Sequence, residues 1–175
     1  QGARNLNVES SYEYGSRAGV WRILRVFDKR QIPLTIYGVG VALERNPAVA
    51  EETARMGCDY VGHGWRWIDY QDMPEAEERE HIRLCVEAIE RLTGKRPAGW
   101  FTGRPSLNTR RLVVEEGSFL YDCDAINDDL PYWTTINGKQ HLVICHTFDT
   151  NDGRFTRGQG FATADQWFTY MRDAF

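Results

Sequence analysis

The chain has 175 residues, 42% of them hydrophobic and 26% charged, the make-up of one soluble globular domain with a real core. Its 21 lysines and arginines against 25 carboxylates give a net charge of −4. There is no basic footprint for nucleic acid or anionic membrane, and no apolar run nears the roughly 20 residues of a transmembrane helix. Starting at Gln1 without a methionine and stopping at Phe175 inside a helical pattern, the sequence reads as an excised piece. The four cysteines (Cys58, Cys85, Cys123, Cys145) form no C-x-x-C pair and read as buried free thiols of a reducing cytosol.

Asn7 to Gly19 mixes Glu9, Glu13, Tyr12, Tyr14 and Arg17 with two glycines and reads as a polar loop, solvated or ligand-binding. Val20, Ile23, Leu24 and Phe27 then recur at helical spacing over Ala18 to Arg30. Leu34 to Val39 is rich in β-branched and aromatic residues and predicts a strand. Asn46-Pro47 starts a helix that Gly57 ends. Asp59 to Val61 predicts the next strand, which runs into Tyr60-Val61-Gly62-His63-Gly64-Trp65-Arg66-Trp67. The glycines let the backbone leave a sheet sharply, so His63 stands at a strand's carboxyl end, where α/β folds keep their chemistry.

Asp72-Met73-Pro74-Glu75 predicts a capped helix with acidic first turns, a stripe of Ile82, Val86, Ile89 and Leu92, and a basic end at Arg91 to Arg96; His81 reads as a surface residue of it. Ala98 to Phe101 predicts a third strand, followed by Thr102-Gly103-Arg104-Pro105-Ser106 and a helix from Asn108 to Gly117. Phe119 to Tyr121 predicts a fourth. Asn137-Gly138 between Trp133–Ile136 and His141–Ile144 signals a hairpin, and a Thr163/Gln166 capping box opens a last helix. Three strand–helix alternations without a repeat or linker predict one domain, 1–175, built on a mainly parallel sheet or barrel.

Successive strand ends then deliver His63, Arg104, Asp122 with Asp124, and His146 with Asp149 to one rim. A histidine can take a proton from water near neutral pH, a guanidinium can hold a carbonyl or oxyanion, and a carboxylate can orient either. The set suits hydrolysis of an amide or imide, and no phosphate-binding glycine motif appears. Asp122 and Asp124 alternate, so at most one faces the site. Asp128-Asp129 reads as a solvated turn, Arg110 and Arg111 as a solvated helix face or an interface. Trp65 and Trp67 divide evenly between core packing and a substrate-facing wall.

Asn7 to Arg22, His63 to Tyr70, Gly99 to Arg104 with Asn108 to Arg111, Leu120 to Asp122, Asp128 to Trp133 and Asp149 to Asp152 together resemble the cofactor-independent allantoinases of the PuuE type, in the polysaccharide-deacetylase (NodB-homology) superfamily. The resemblance covers nearly the whole chain. It implies a distorted (β/α) barrel, present here without its first strand and its C-terminal end. In the superfamily's H-x-x-x-H pattern His63 fits the first, metal-binding position and Trp67 stands at the second, which implies catalysis without a metal. Cys145-His146 stands where this branch commonly has proline and tyrosine.

By this resemblance the chain is a cytoplasmic, homotetrameric hydrolase that opens the hydantoin ring of allantoin in purine catabolism. Its catalytic residues are His63, Arg104 and Asp124. Glu13, Tyr14, Arg17, Trp65, Trp67, His146 and Asp149 bind a small ureide or cyclic amide. The alternatives are a zinc-dependent deacetylase of N-acetylated sugars and a non-catalytic binding or assembly domain.

Overall fold

The computed structural model describes residues 4–148, 150–155 and 160–175. Asn5 caps a first helix, α1 (Leu6–Tyr14), its side chain accepting from Val8 N at 3.1 Å. A π-turn over Gly15–Gly19 carries α1 without a break into α2 (Val20–Arg30). The loop expected over Asn7 to Gly19 is therefore helical. Ser10, Ser11 and Ser16 each donate to the carbonyl three residues back, so the polar side chains that suggest a loop satisfy themselves within the helix. No residue of α1 is buried, which is why no apolar period announces it.

The rest alternates: β1 (Thr35–Gly38), α3 (Gly40–Arg45), α4 (Pro47–Arg55), β2 (Asp59–Gly62), α5 (Glu75–Thr93), β3 (Gly99–Trp100), α6 (Thr109–Glu116), β4 (Tyr121–Asp122), β5 (Tyr132–Ile136), β6 (Lys139–Val143) and α7 (Ala164–Ala174). The strands form a six-stranded sheet in the order β1-β2-β3-β4-β6-β5. All neighbours are parallel except β5 and β6, the expected hairpin, whose Asn137 and Gly138 take φ of 50° and 78° as a type I′ turn requires. This is the α/β class expected, with β1 and β5 at the edges of the sheet described.

The core lies between the sheet and the helices α4 to α6. Ile82, Cys85, Val86 and Ile89 of α5 meet Tyr60, Trp100, Leu112 and Phe119, all buried. Cys58, Cys85 and Cys123 are buried free thiols as expected, and Cys145 is partly exposed. The cap expected at Asp72 is not used: α5 begins after Pro74, with no side-chain cap. The Thr163/Gln166 capping box on α7 is present. No helix among the described residues is long and apolar enough to cross a membrane.

What this sheet does for function is to align its carboxyl ends. His63, Phe101, Cys123 and Ile144 are the first residues past β2, β3, β4 and β6. Each donates its N–H to the neighbouring strand, to Gly38 O, Gly62 O, Trp100 O and Asp122 O, at 2.8–2.9 Å.

Candidate active site

The loop that carries His63 is fixed by backbone geometry. Gly64 takes φ +79°, and a Cβ there would stand 2.6 Å from the Tyr70 hydroxyl, so only glycine fits. Gly64 O and Trp65 O accept from Gly40 N and Val41 N at 3.1 and 3.0 Å, tying the loop to the start of α3. Tyr70 is 1% exposed, donates to Arg66 O at 3.3 Å and meets His81 Nδ1 at 3.1 Å. His81 is thus an inward brace of this loop and not the surface residue expected. Burial pushes the Tyr70 hydroxyl up to about 12 and the His81 imidazole down.

His63 Nδ1 lies 2.5 Å from Phe101 O. A carbonyl can only accept, so Nδ1 holds the proton and Nε2 presents a bare lone pair. The imidazole stacks on the Phe101 ring, centroids 5.2 Å apart at 6°, with Tyr37 edge-on at 6.2 Å. Burial lowers its pKa, with His146 and Arg104 pushing the same way, while Phe101 O and Asp124 oppose them. The lowered value favours the neutral ring at neutral pH. Asp124, His146 and Arg104, among the residues expected at the strand ends, all act on its charge.

Arg104 is exposed, its guanidinium 5.4 Å from the Trp67 ring centroid, and its carbonyl accepts from Tyr70 N at 3.2 Å. Asp124 is committed to the backbone. It accepts from Thr102 N (2.9 and 3.0 Å), Thr102 Oγ1 (3.0 Å) and Gly103 N (2.8 Å). Burial raises its carboxyl and these bonds oppose the rise. It anchors the loop before Arg104. Asp122 faces the helices: 1% exposed, it takes a fork from Arg110 (2.8 and 3.0 Å) and a bond from His141 Nε2 at 3.0 Å. Arg110 is therefore a lock between α6 and β4, which corrects the expectation of a solvated face. Arg111 does stay on the surface, in ion pairs with Glu75 and Glu115.

The two tryptophans part company. The Trp65 ring lies over Gly40, where a Cβ would come within 2.6 Å of it, so Trp65 packs. Trp67 is 58% exposed and walls a cavity of about 650 Å³ with Glu13, Arg45, Arg66 and residues of α3. Of the expected binding residues on α1 and the π-turn, only Glu13 lines that cavity. Tyr14 accepts from Arg22 at 2.9 Å, and Arg17 pairs with Glu13 at 3.7 Å on the surface. His146 meets the Phe101 ring at a 31° tilt, centroids 4.7 Å apart, and lines a second cavity of about 660 Å³ with Asp128 and Asp129. His63 and Arg104 line neither cavity and stand on the rim. Asp149 lies outside the described residues.

Residues 5–115 match the family described as polysaccharide deacetylase. The chain belongs to that family. A Schizosaccharomyces pombe (strain 972 / ATCC 24843) protein named "Putative polysaccharide deacetylase" is 39% identical over 188 residues, which is 98% of this chain and 59% of its own length. The crystal structure of PuuE allantoinase superposes with a TM-score of 0.94 at 57% identity, over 100% of this chain and 59% of that one. A probable polysaccharide deacetylase from Pseudomonas aeruginosa PAO1 does so at 54% identity, with the same TM-score and coverage. The chain spans about three fifths of these relatives, 59% in each case.

For a member of the polysaccharide deacetylase family, the metal question turns on Trp67. An indole is no ligand for a divalent ion. Among the described residues no three His, Cys, Asp or Glu groups gather to hold one. Sequence reasoning missed the Phe101 carbonyl that sets the His63 tautomer, the His81 brace and the Arg110–Asp122–His141 lock. Backbone acceptors carry no signature in a sequence, and an arginine pattern on a helix does not say which way it points.

Proposed function

We propose that this chain carries the hydrolytic site of an allantoinase-type enzyme that opens the hydantoin ring of allantoin to allantoate. The observation that carries the reading is the fixed tautomer of His63: a neutral ring with Nε2 bare, in the electrostatic reach of Arg104 and Asp124. The 57% identity to PuuE allantoinase over the whole chain supports the substrate class.

In this mechanism His63 Nε2 takes a proton from water as the water oxygen bonds to a ring carbonyl carbon. Arg104 offers its planar donors to the oxygen that gains charge. Collapse breaks the C–N bond, and the leaving nitrogen takes the proton from the imidazolium, so atoms and charge balance. Trp67 walls the substrate side and Asp124 holds the loop of Arg104 in place. The reaction runs in the cytoplasm without a metal ion, in a homo-oligomer.

A second reading is metal-dependent deacetylation of N-acetylated sugars, which the family description favours. The full-length protein should release allantoate from allantoin, unchanged by chelator. Acetate release from N-acetylglucosamine oligomers, lost with chelator and restored by zinc, would replace the first reading with the second. Neither product above buffer would leave a binding domain.

A further inference from the structure

Glu78 lies in the first turn of α5, where Glu75 and Glu77 are exposed. Its exposure is 0%. A carboxylate taken out of water is costly unless it is bonded. The bonds that Glu78 makes are to two hydroxyls, Ser106 in the loop beyond Arg104 and Thr109 at the start of α6. Ser106 Oγ donates to its Oε2 at 2.5 Å, and Thr109 Oγ1 donates to its Oε1.

The same two hydroxyls also accept. Ser106 Oγ takes a bond from Asn108 N at 2.9 Å, and Thr109 Oγ1 takes one from Ser106 N at 2.8 Å. Because a carboxylate only accepts, Glu78 fixes both hydroxyl protons on itself and leaves both oxygens free for the backbone. One buried group thereby sets the path of the chain from Ser106 to the start of α6. The near side of the loop is held independently, by Asp124 on Thr102 and Gly103 and by Tyr70 N on Arg104 O. Arg104 lies between the two clamps, with its guanidinium 5.4 Å from the centroid of the Trp67 ring.

We propose that Glu78 is a positioning residue for Arg104, acting through Ser106 and Thr109 to hold the guanidinium over Trp67. The inference rests on the reading of Arg104 as the group that binds the substrate carbonyl. An apolar residue at this buried position would serve packing equally well; the hydroxyl network serves the loop.

The test uses Glu78→Ala and Glu78→Gln in the full-length protein. Alanine removes both acceptors. Glutamine keeps the shape but has one acceptor oxygen, so one hydroxyl must turn away. The primary readout is the ring-current shift of the Arg104 Nε–H by the Trp67 indole, with Trp67→Phe assigning it. It should vanish in Glu78→Ala and shrink in Glu78→Gln, while the amide spectrum of the sheet is kept. For allantoin, KM should rise about tenfold or more, and because Arg104 lowers the His63 pKa the acid limb should move to higher pH as the guanidinium leaves. An unchanged Arg104 signal in either folded variant overturns the proposal. If Glu78→Ala does not fold, Glu78→Gln with Ser106→Ala reads the same signal. If the parent protein opens no allantoin, the function reading fails, and the Arg104 resonance still decides the role of Glu78.

Discussion

Asp124 separates a carboxylate used in chemistry from one used to hold a loop. Its partners are Thr102 N, Thr102 Oγ1 and Gly103 N, at 2.8–3.0 Å. Asparagine can keep its oxygen on the two amides and turn its NH₂ to the threonine hydroxyl, which can accept. Alanine keeps nothing. Gly103 is exposed and finds water, but Thr102 is 4% exposed and its N–H is left unpaired. One buried unpaired donor costs about 1–3 kcal/mol. Relief from burying the carboxyl charge offsets part of this, so about 2 kcal/mol is the expectation. At about 2–4 °C per kcal/mol for a chain of this size, Asp124→Ala should melt about 4–8 °C lower and Asp124→Asn within about 3 °C of the parent.

Thermal unfolding of both variants, with allantoin turnover on each, checks this. Asp124→Asn should keep turnover within about tenfold, since loss of an acid or base group costs 10²–10⁴-fold. Asp124 also raises the His63 pKa, so the acid limb should move to lower pH in Asp124→Asn. An Asn variant as unstable as the Ala variant would refute the anchoring geometry. A stable Asn variant that loses turnover as fully as His63→Ala would return Asp124 to the chemistry.

Asp122→Asn should lower the melting temperature by about 6–12 °C, because breaking a buried pair costs about 3 kcal/mol or more; a shift under about 2 °C would contradict the Arg110–Asp122–His141 lock. The folded His63 pKa lies below the ordinary 6.5, so the stability contributed by its neutral ring is complete above 6.5 and lost as pH falls through the folded value. The pH dependence of melting should flatten there in His63→Gln. Arg104→Lys keeps charge but loses the planar fork and the stack on Trp67, so kcat/KM should fall about tenfold or more at unchanged stability. Leu6, Ile23 and Val26 are 67%, 54% and 47% exposed along α1 and α2, and light scattering on the full-length protein should report more than a monomer.

Periodicity and punctuation made most of the sheet legible. Apolar strand cores, Asn46-Pro47, Gly57, Gly117 and Asn137-Gly138 each act locally, so each is visible in a short window. The rim followed from these, since parallel neighbours bring their carboxyl ends together and His63, Arg104 and Asp124 are short steps beyond them. α1 was hidden because its amphipathic stripe is missing and its serines bond within the helix. Glu78 and Arg110 were hidden because burial of a charge depends on partners about 30 and 12 positions away, such as Thr109 and Asp122. A window sees only a polar helix face.

Trp67 joins the two halves of the site at one position. Where the H-x-x-x-H pattern would place a second imidazole for a metal, the indole supplies a flat apolar face, and that face supports the guanidinium of Arg104. A guanidinium lying on an indole needs a loop that holds it in place. The loop meets that need through its backbone, with Asp124 before the arginine, Tyr70 at it and Glu78 beyond it. Asp124 and Glu78 are thus spent on main-chain and hydroxyl donors.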